Sequence, residues 1–236
     1  MFQKLSRKYE LKYPMSRKLS IIVPYRDREE HLNKFIPHME SSEFLSGLDY
    51  EIVIVEQDDK PFNRGKLLNI GAIESTSADY YCFHDVDMLP ISSDYTYTPN
   101  PTHLAAEAEQ FGYKLPYNRY FGGVTLFDKH SFIKVNGYSN DYWGWGAEDD
   151  DVMLRCVLNG IPTSRKNGRY KSLAHERNIV KDLYDENLKK YFSFSSPEGQ
   201  KDAINKINLD GLTTLKYEIL EEKKISDKTR LIKVKI

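Results

Sequence analysis

The first ninety residues set three short apolar runs against two helical stretches, and each run breaks off in a polar cluster. Leu19-Ser-Ile-Ile-Val-Pro-Tyr25, Glu51-Ile-Val-Ile-Val55 and Tyr80-Tyr-Cys-Phe83 have the β-branched and aromatic content of buried parallel strands. Between them, residues 28–44 carry Leu32, Phe35, Ile36 and Met39 near a 3.6-residue period, with Pro37 expected to kink that helix or end it early. Residues 63–75 carry Leu67, Leu68, Ile70 and Ile73 in the same manner. This alternation predicts βαβ units, hence an α/β fold with a mainly parallel, doubly wound central sheet flanked by helices. Such sheets bind ligands outside the carboxyl ends of their strands. Pro24-Tyr25-Arg26-Asp27, Glu56-Gln57 and Asp85-Val86-Asp87 all fall at those ends.

The second half is less regular. Residues 94–116 read as a helix with irregular flanks, and Phe121-Gly-Gly-Val-Thr-Leu-Phe127 as a strand entered through glycines. Trp143-Gly-Trp-Gly146 reads as a turn. The acidic run from Glu148 starts a helix that ends at Asn159-Gly160. Residues 176–208 are polar and weakly patterned, which predicts a mobile loop. Residues 213–220 and 230–236 read as the strands of a C-terminal β-hairpin. The expected organisation is a basic segment, residues 1–18, followed by one domain, residues 19–236.

Bulk composition narrows the function. Lys plus Arg number 34 against 35 Asp plus Glu, so no concentrated basic face argues for a nucleic-acid partner. No run approaches the roughly 20 apolar residues of a transmembrane helix. The basic opening, with Lys4, Arg7, Lys8, Lys12, Arg17 and Lys18, could make peripheral contact with an anionic membrane. Cys82 and Cys156 lie in apolar surroundings without metal-knuckle or redox spacing, so they read as buried free thiols that need no oxidising compartment. The 17 Tyr pair apolar rings with polar tips, a combination suited to sugars.

Four groups could carry chemistry. Asp85 and Asp87, on alternate residues past a strand end, can approach a hard divalent cation that bridges phosphates. A second Asp-x-Asp stands at 149–151, so position rather than pattern carries the weight. In Trp143-Gly-Trp-Gly-Ala-Glu-Asp-Asp-Asp151, four successive acids exceed what a helix N-terminus needs, and their repulsion would raise one carboxylate toward general-base work. Phe62-Asn63-Arg64-Gly65-Lys66 at a helix start, with Arg26 and Arg28, suits anionic phosphates. His175, after a short strand at 170–174, could complete a coordination sphere begun by Asp87.

Taken in order, these segments resemble the β-1,4-galactosyltransferase family, whose fold is the Rossmann-like, metal-dependent glycosyltransferase A (GT-A) type. The match runs from Ile21-Ile-Val-Pro-Tyr-Arg-Asp-Arg28 through Phe62-Asn-Arg-Gly-Lys-Leu-Leu-Asn69, Asp85-Val-Asp87 and Tyr120-Phe-Gly-Gly-Val124. It continues through Asn136-Gly137 and Tyr142-Trp-Gly-Trp-Gly-Ala-Glu-Asp-Asp-Asp151 to Asp210-Gly211-Leu212. The resemblance implies an inverting transfer of galactose from UDP-galactose to a carbohydrate hydroxyl, most simply in β-1,4 linkage. Pro24, Tyr25, Arg26, Arg28, Phe62 and Arg64 would line the nucleotide site, with Asp85 supporting the nucleotide-sugar and Tyr120 and Trp145 meeting the donor. Trp145, Gly146, Glu148 and Asp149 would face the acceptor, Asp149 as the catalytic base beside Glu148. Asp87 and His175 would hold Mn²⁺, with Mg²⁺ the alternative. Tyr120 matches a position where galactose users carry Tyr and N-acetylgalactosamine users a smaller aliphatic residue.

Two departures stand out. Ser172 occupies the place where some members carry a Met ligand, and the transmembrane anchor and stem of animal members are not seen. The expectation is therefore a soluble, bacterial-type, cytoplasmic enzyme, peripheral to the inner membrane face. Its rivals are the same chemistry with UDP-GalNAc or UDP-glucose, a metal-dependent phosphohydrolase built on Asp85 and Asp87, and a carbohydrate-binding module.

Overall fold

A computed structural model of the chain describes residues 17–58, 60–175 and 179–236. Residues 1–16, most of the basic segment, lie outside the described residues, as do the first three residues of the expected loop.

Strands β1 (Lys18–Tyr25), β2 (Asp49–Gln57) and β3 (Tyr80–His84) alternate with helices α1 (Glu29–Glu40) and α2 (Arg64–Glu74). Alternate side chains of one strand leave on opposite faces of a sheet. Leu19, Ile21, Val23 and Tyr25 of β1, with Ile52, Ile54, Tyr80 and Cys82, therefore join one apolar layer, which α1 covers with Leu32, Phe35 and Met39. Ile22, Val53, Val55, Tyr81 and Phe83 join the other, covered by Leu67, Leu68 and Ile70 of α2. That two-sided burial explains why the strands read as continuous apolar runs rather than alternating ones. Pro37 does not end α1: it sits in the last turn, and three further residues follow it. Both cysteines are buried and unpaired.

The chain continues through β4 (Met88–Ser92), β5 (Thr102–His103), β6 (Glu107–Ala108), β7 (Val124–Asp128), α3 (Lys129–Lys134) and α4 (Glu148–Leu158). It ends with β8 (Ser164–Arg165), β9 (Arg169–Ser172), α5 (Lys181–Ser195), α6 (Pro197–Gln200), α7 (Ala203–Asn208), β10 (Glu218–Lys224) and β11 (Thr229–Lys235). The large sheet runs β10-β11-β2-β1-β3-β7-β5-β8, and β4-β9-β6 form a small one. Strands β11, β2, β1 and β3 are parallel, whereas β7 and β5 extend the sheet antiparallel.

Two expectations are overturned. Residues 94–116 are not helical: β5 pairs with β7, β6 with β9, and a single 3-10 turn follows at Glu109–Phe111. Long-range pairing overrode the local pattern of Leu104, Ala105, Ala106 and Ala108, which the two-layer core buries. From residue 179 onward the expected mobile loop is mostly helix, α5 to α7. The C-terminal hairpin is present with shifted limits, because residues 212–214 form a 3-10 turn and β10 starts at Glu218. Among the described residues no helix is long and apolar enough to cross a membrane.

Candidate active site

The carboxyl ends of β1 and β3 open on a cleft of about 700 Å³. Its far wall is built by the loop before β7, the Trp-Gly turn before α4, and the start of α5.

Arg64 stands at its centre. Asn63 caps α2, its side chain accepting from Lys66 N at 2.9 Å, and is itself pinned by Gln57 and Asn140. The first residue of the helix is thereby fixed in place. The Arg64 side chain, 10 % exposed, donates from Nε to Asp85 Oδ1 at 2.7 Å and from Nη1 to Asp149 Oδ1 at 2.6 Å. Glu148 Oε1 lies 3.8 Å from the same Nη1. One guanidinium thus joins the acids beyond β3 to those opening α4, a geometry that suits its rigid fork of donors.

The four acids of α4 diverge because successive helical residues turn by about 100°. Glu148 and Asp149 face Arg64, and Asp150 accepts from the Tyr117 hydroxyl at 2.9 Å at the cleft mouth. Asp151 turns inward, where Arg155 meets it at 2.5 Å and Tyr142 at 3.2 Å. Burial pushes Asp149 well above the usual carboxylate range, with Arg64 acting in the opposite sense. Burial also raises Glu148 and Asp85. For Arg64, burial works against the charge, yet Asp149 and Asp85 hold it well above its ordinary value.

Asp87 and His175 meet at the side of the cleft, with 3.1 Å between Oδ2 and Nδ1. One carboxylate and one imidazole, both partly exposed, form a donor set that fits Mn²⁺ or Mg²⁺ and leaves positions open to phosphate oxygens. No third His, Cys, Asp or Glu joins them among the described residues. Ser172 is otherwise engaged: its Oγ accepts from Gln110 N at 3.2 Å and contacts Met88 Sδ at 3.8 Å. His31 supports this corner, its ring edge-on to His175 at 5.9 Å and its Nε2 3.3 Å from Ala174 O.

Pro24, Arg26, Arg28 and Phe62 line the end of the cleft beyond β1. Arg26 lies over the Phe62 ring and donates to the carbonyl of Lys60. Tyr25 does not line the cleft: strand alternation sends its ring into the layer beneath α1, which corrects its expected place at the ligand. Tyr120 is wedged edge-on against His103, Phe111 and Tyr117, and burial drives its hydroxyl well above the ordinary range. Trp145, 49 % exposed, and Gly146 line the opposite rim, the indole tilted on Tyr184 at 5.5 Å.

The cleft therefore gathers Pro24, Arg26, Arg28, Phe62, Arg64, Asp85, Asp87, Tyr120, Trp145, Gly146, Glu148, Asp149 and His175. Sequence reasoning did not single out Asp150, Tyr117, Gln110, Phe111, Tyr184 or Leu188, which also line it. Tyr117, three residues before Tyr120, and Asp150, inside the acidic run, carried a signal. The residues of α5 carried none.

Comparison with known proteins bears on the family and the fold. A family model described as the N-terminal region of glycosyl transferase group 7 matches residues 10–100, and one described as the N-terminal domain of galactosyltransferase matches residues 102–176. Beta-1,4-galactosyltransferase 4 of Cricetulus griseus is 37 % identical over 212 residues, covering 86 % of this chain and 59 % of the relative. Beta-1,4-galactosyltransferase 1 of Homo sapiens is 36 % identical over 213 residues, covering 86 % and 51 %. The chain thus spans a little over half the length of these relatives. They are animal proteins and lend no support to a bacterial-type member. A mutant of Drosophila β1,4-galactosyltransferase 7, solved with manganese, UDP-Gal and xylobiose, superimposes with a TM-score of 0.74 at 29 % identity, covering 93 % of this chain and 94 % of that one. A Pyrobaculum calidifontis mannosyltransferase solved with GDP-Man and Mn²⁺, at a TM-score of 0.57 and 13 % identity over 83 % of this chain and 72 % of that one, shares the fold alone. The architecture is the GT-A fold, and the chain belongs to the β-1,4-galactosyltransferase family.

Proposed function

We propose that this chain transfers galactose from UDP-galactose to a hydroxyl of a carbohydrate acceptor, inverting the anomeric centre and forming a β-1,4 linkage. The observation that carries the reading is the Arg64 bridge, which sets Asp85 and Asp149 on either side of one guanidinium in one cleft. Both carboxylates line the same cavity, which supports a reading in which one serves the donor and the other the acceptor. Residues 19–236 act as one catalytic domain in this reading.

Arg26, Arg28 and Phe62 would take the nucleotide end, and Asp85 the donor sugar. Asp87 and His175 would hold Mn²⁺, which when bound supplies a Lewis acid for the departing diphosphate. Asp149, raised by burial, takes the proton of the acceptor hydroxyl as its oxygen forms the new bond to the anomeric carbon. The bond from that carbon to the diphosphate oxygen breaks on the opposite face, and UDP leaves. Arg64 opposes the effect of burial on Asp149, favouring its charged form, and stabilises charge near the leaving group. Glu148 and Asp150 would accept from acceptor hydroxyls, with Trp145 offering a flat apolar face to the sugar.

The test is UDP release measured with UDP-galactose, UDP-GalNAc and UDP-glucose against GlcNAc, glucose and xylose acceptors, with and without Mn²⁺. Metal-dependent release that needs both UDP-galactose and a sugar acceptor supports the reading. Glycan binding without UDP release would make the chain a carbohydrate-binding module instead.

A further inference from the structure

Of the fifteen residues of α5, only Asn187 and Phe194 are buried. A surface helix is ordinarily seated by an apolar stripe. Phe194 supplies that seat only near the C-terminal end, in a small cluster with Leu154, Ala203 and Ile207. Toward the N-terminal half the one fully buried side chain is polar. Asn187, 2 % exposed, donates its side-chain amide to Trp143 O at 2.9 Å and to Trp145 O at 3.3 Å. One turn earlier, Leu183 and Tyr184 press on the same segment: a Cβ at Gly144 would lie 3.4 Å from Leu183, and one at Gly146 would lie 2.9 Å from the Tyr184 ring.

The segment so gripped is held in an uncommon backbone shape. Gly144, Gly146 and Ala147 have φ of +75°, +107° and +74°, and Ala147, which bears a side chain, is strained there. Such a conformation persists only where its surroundings over-determine it. The carboxamide of Asn187 has two N–H donors to offer the two carbonyls, which no Leu, Ala or Asp side chain can do.

We propose that Asn187 is a positioning residue for glycosyl transfer. By holding the carbonyls of Trp143 and Trp145 it sets the backbone of the Trp-Gly-Trp-Gly-Ala segment, and with it the place of the Trp145 ring at the acceptor side and of Asp149 at the start of α4. The inference rests on the transferase reading above and adds to it a residue from outside the cleft.

The two tryptophans of the chain, Trp143 and Trp145, both flank this contact, so tryptophan emission reports on it directly. Asn187→Leu keeps the number and branching of side-chain heavy atoms and loses both donors. Its emission is expected to shift to the red and its quenching by acrylamide to rise. Its affinity for UDP with Mn²⁺, measured by calorimetry, should be unchanged, while the acceptor KM rises about tenfold, the factor that two ordinary hydrogen bonds are worth. Asn187→Ala serves as the second variant, since Ala is well tolerated on helices. A folded variant with unaltered emission and unaltered acceptor KM overturns the proposal. So does loss of the whole fold in both variants, which would make Asn187 a stability residue. Absence of UDP release in the wild type would sink the transferase reading instead, while the emission result would still decide whether Asn187 sets the segment.

Discussion

Arg64 Nη1 lies 2.6 Å from Asp149 Oδ1, inside a site where burial favours the neutral acid. A positive neighbour stabilises the carboxylate and lowers its pKa, so the two effects oppose each other. Removing the charge in Arg64→Met leaves burial unopposed and should raise the Asp149 pKa. A base works only when deprotonated, so activity rises with pH through that pKa, and the acid limb of kcat/KM should move to higher pH in the variant. The measurement is a pH–rate profile of UDP release, and an acid limb that stays in place would separate Arg64 from the ionisation of Asp149.

Asp149→Asn keeps the size and polarity of the side chain but removes the proton acceptor. Transfer should fall by about 10²–10⁴-fold, the usual worth of a positioned base. Binding of UDP-galactose should persist, because the nucleotide end of the cleft is untouched. Single-turnover rates alongside calorimetric donor binding distinguish these effects. Wild-type transfer in this variant would remove Asp149 from the base role.

The fold's left half and the site's polar edge were legible because both rest on local chemistry. Runs such as Ile21-Ile-Val and Ile52-Val-Ile-Val can be buried on both faces only in a covered sheet, and the acids at 85 and 87 follow, while those at 148 and 149 open, elements with clear limits. Residues 102–111 were misread because β5 and β6 are two-residue strands whose partners lie near residues 125 and 169. No periodicity shows in so short a strand. Helix α5 escaped notice because only two of its side chains are fully buried, and one of them is Asn187, whose amide on two carbonyls hydropathy does not record. Tyr25 was misplaced since a motif names a residue without saying which face of the strand it takes.

Asp87 and His175 define a pair rather than a complete coordination sphere, so each should matter to metal affinity. His175→Ala should raise the Mn²⁺ concentration for half-maximal UDP release by about 10–100-fold, the scale seen when a metal site loses support. A Mn²⁺ titration of UDP release, paired with electron paramagnetic resonance of free Mn²⁺ in the presence of UDP, measures both sides. Superimposable titrations for variant and wild type would exclude His175 as a ligand.

Gly122 faces the Asp149 carboxylate of α4 and the Tyr120 ring. A Cβ there would collide with the Asp149 carboxylate and sit 2.9 Å from the Tyr120 ring. Gly122→Ala should therefore displace both side chains while leaving the sheets intact. Displacement of a reacting group by about 1 Å can cost about 100-fold in rate, so kcat/KM should fall far more than the melting temperature. Equal activity in a folded variant would show that the cleft absorbs the methyl group elsewhere.

Tyr120 offers the sharpest test of donor choice. Its ring is fixed by His103, whose Nε2 lies 2.9 Å from Gly122 O and whose Nδ1 accepts from Arg165 at 3.1 Å, so it cannot easily swing aside for a larger sugar. On the proposed reading Tyr120 meets the donor sugar, so an acetamido group on that sugar would compete with the phenol for room. Tyr120→Leu removes the hydroxyl and part of the ring, and should raise the rate ratio of UDP-GalNAc to UDP-galactose by about tenfold or more, the range open to a pocket that changes by a few atoms. The competing donors are best measured in one reaction with a fixed acceptor, since the ratio then cancels any general loss of activity. A ratio unchanged in the variant would place the selection of donor elsewhere in the cleft, with Asp85 and Trp145 as the next groups to vary.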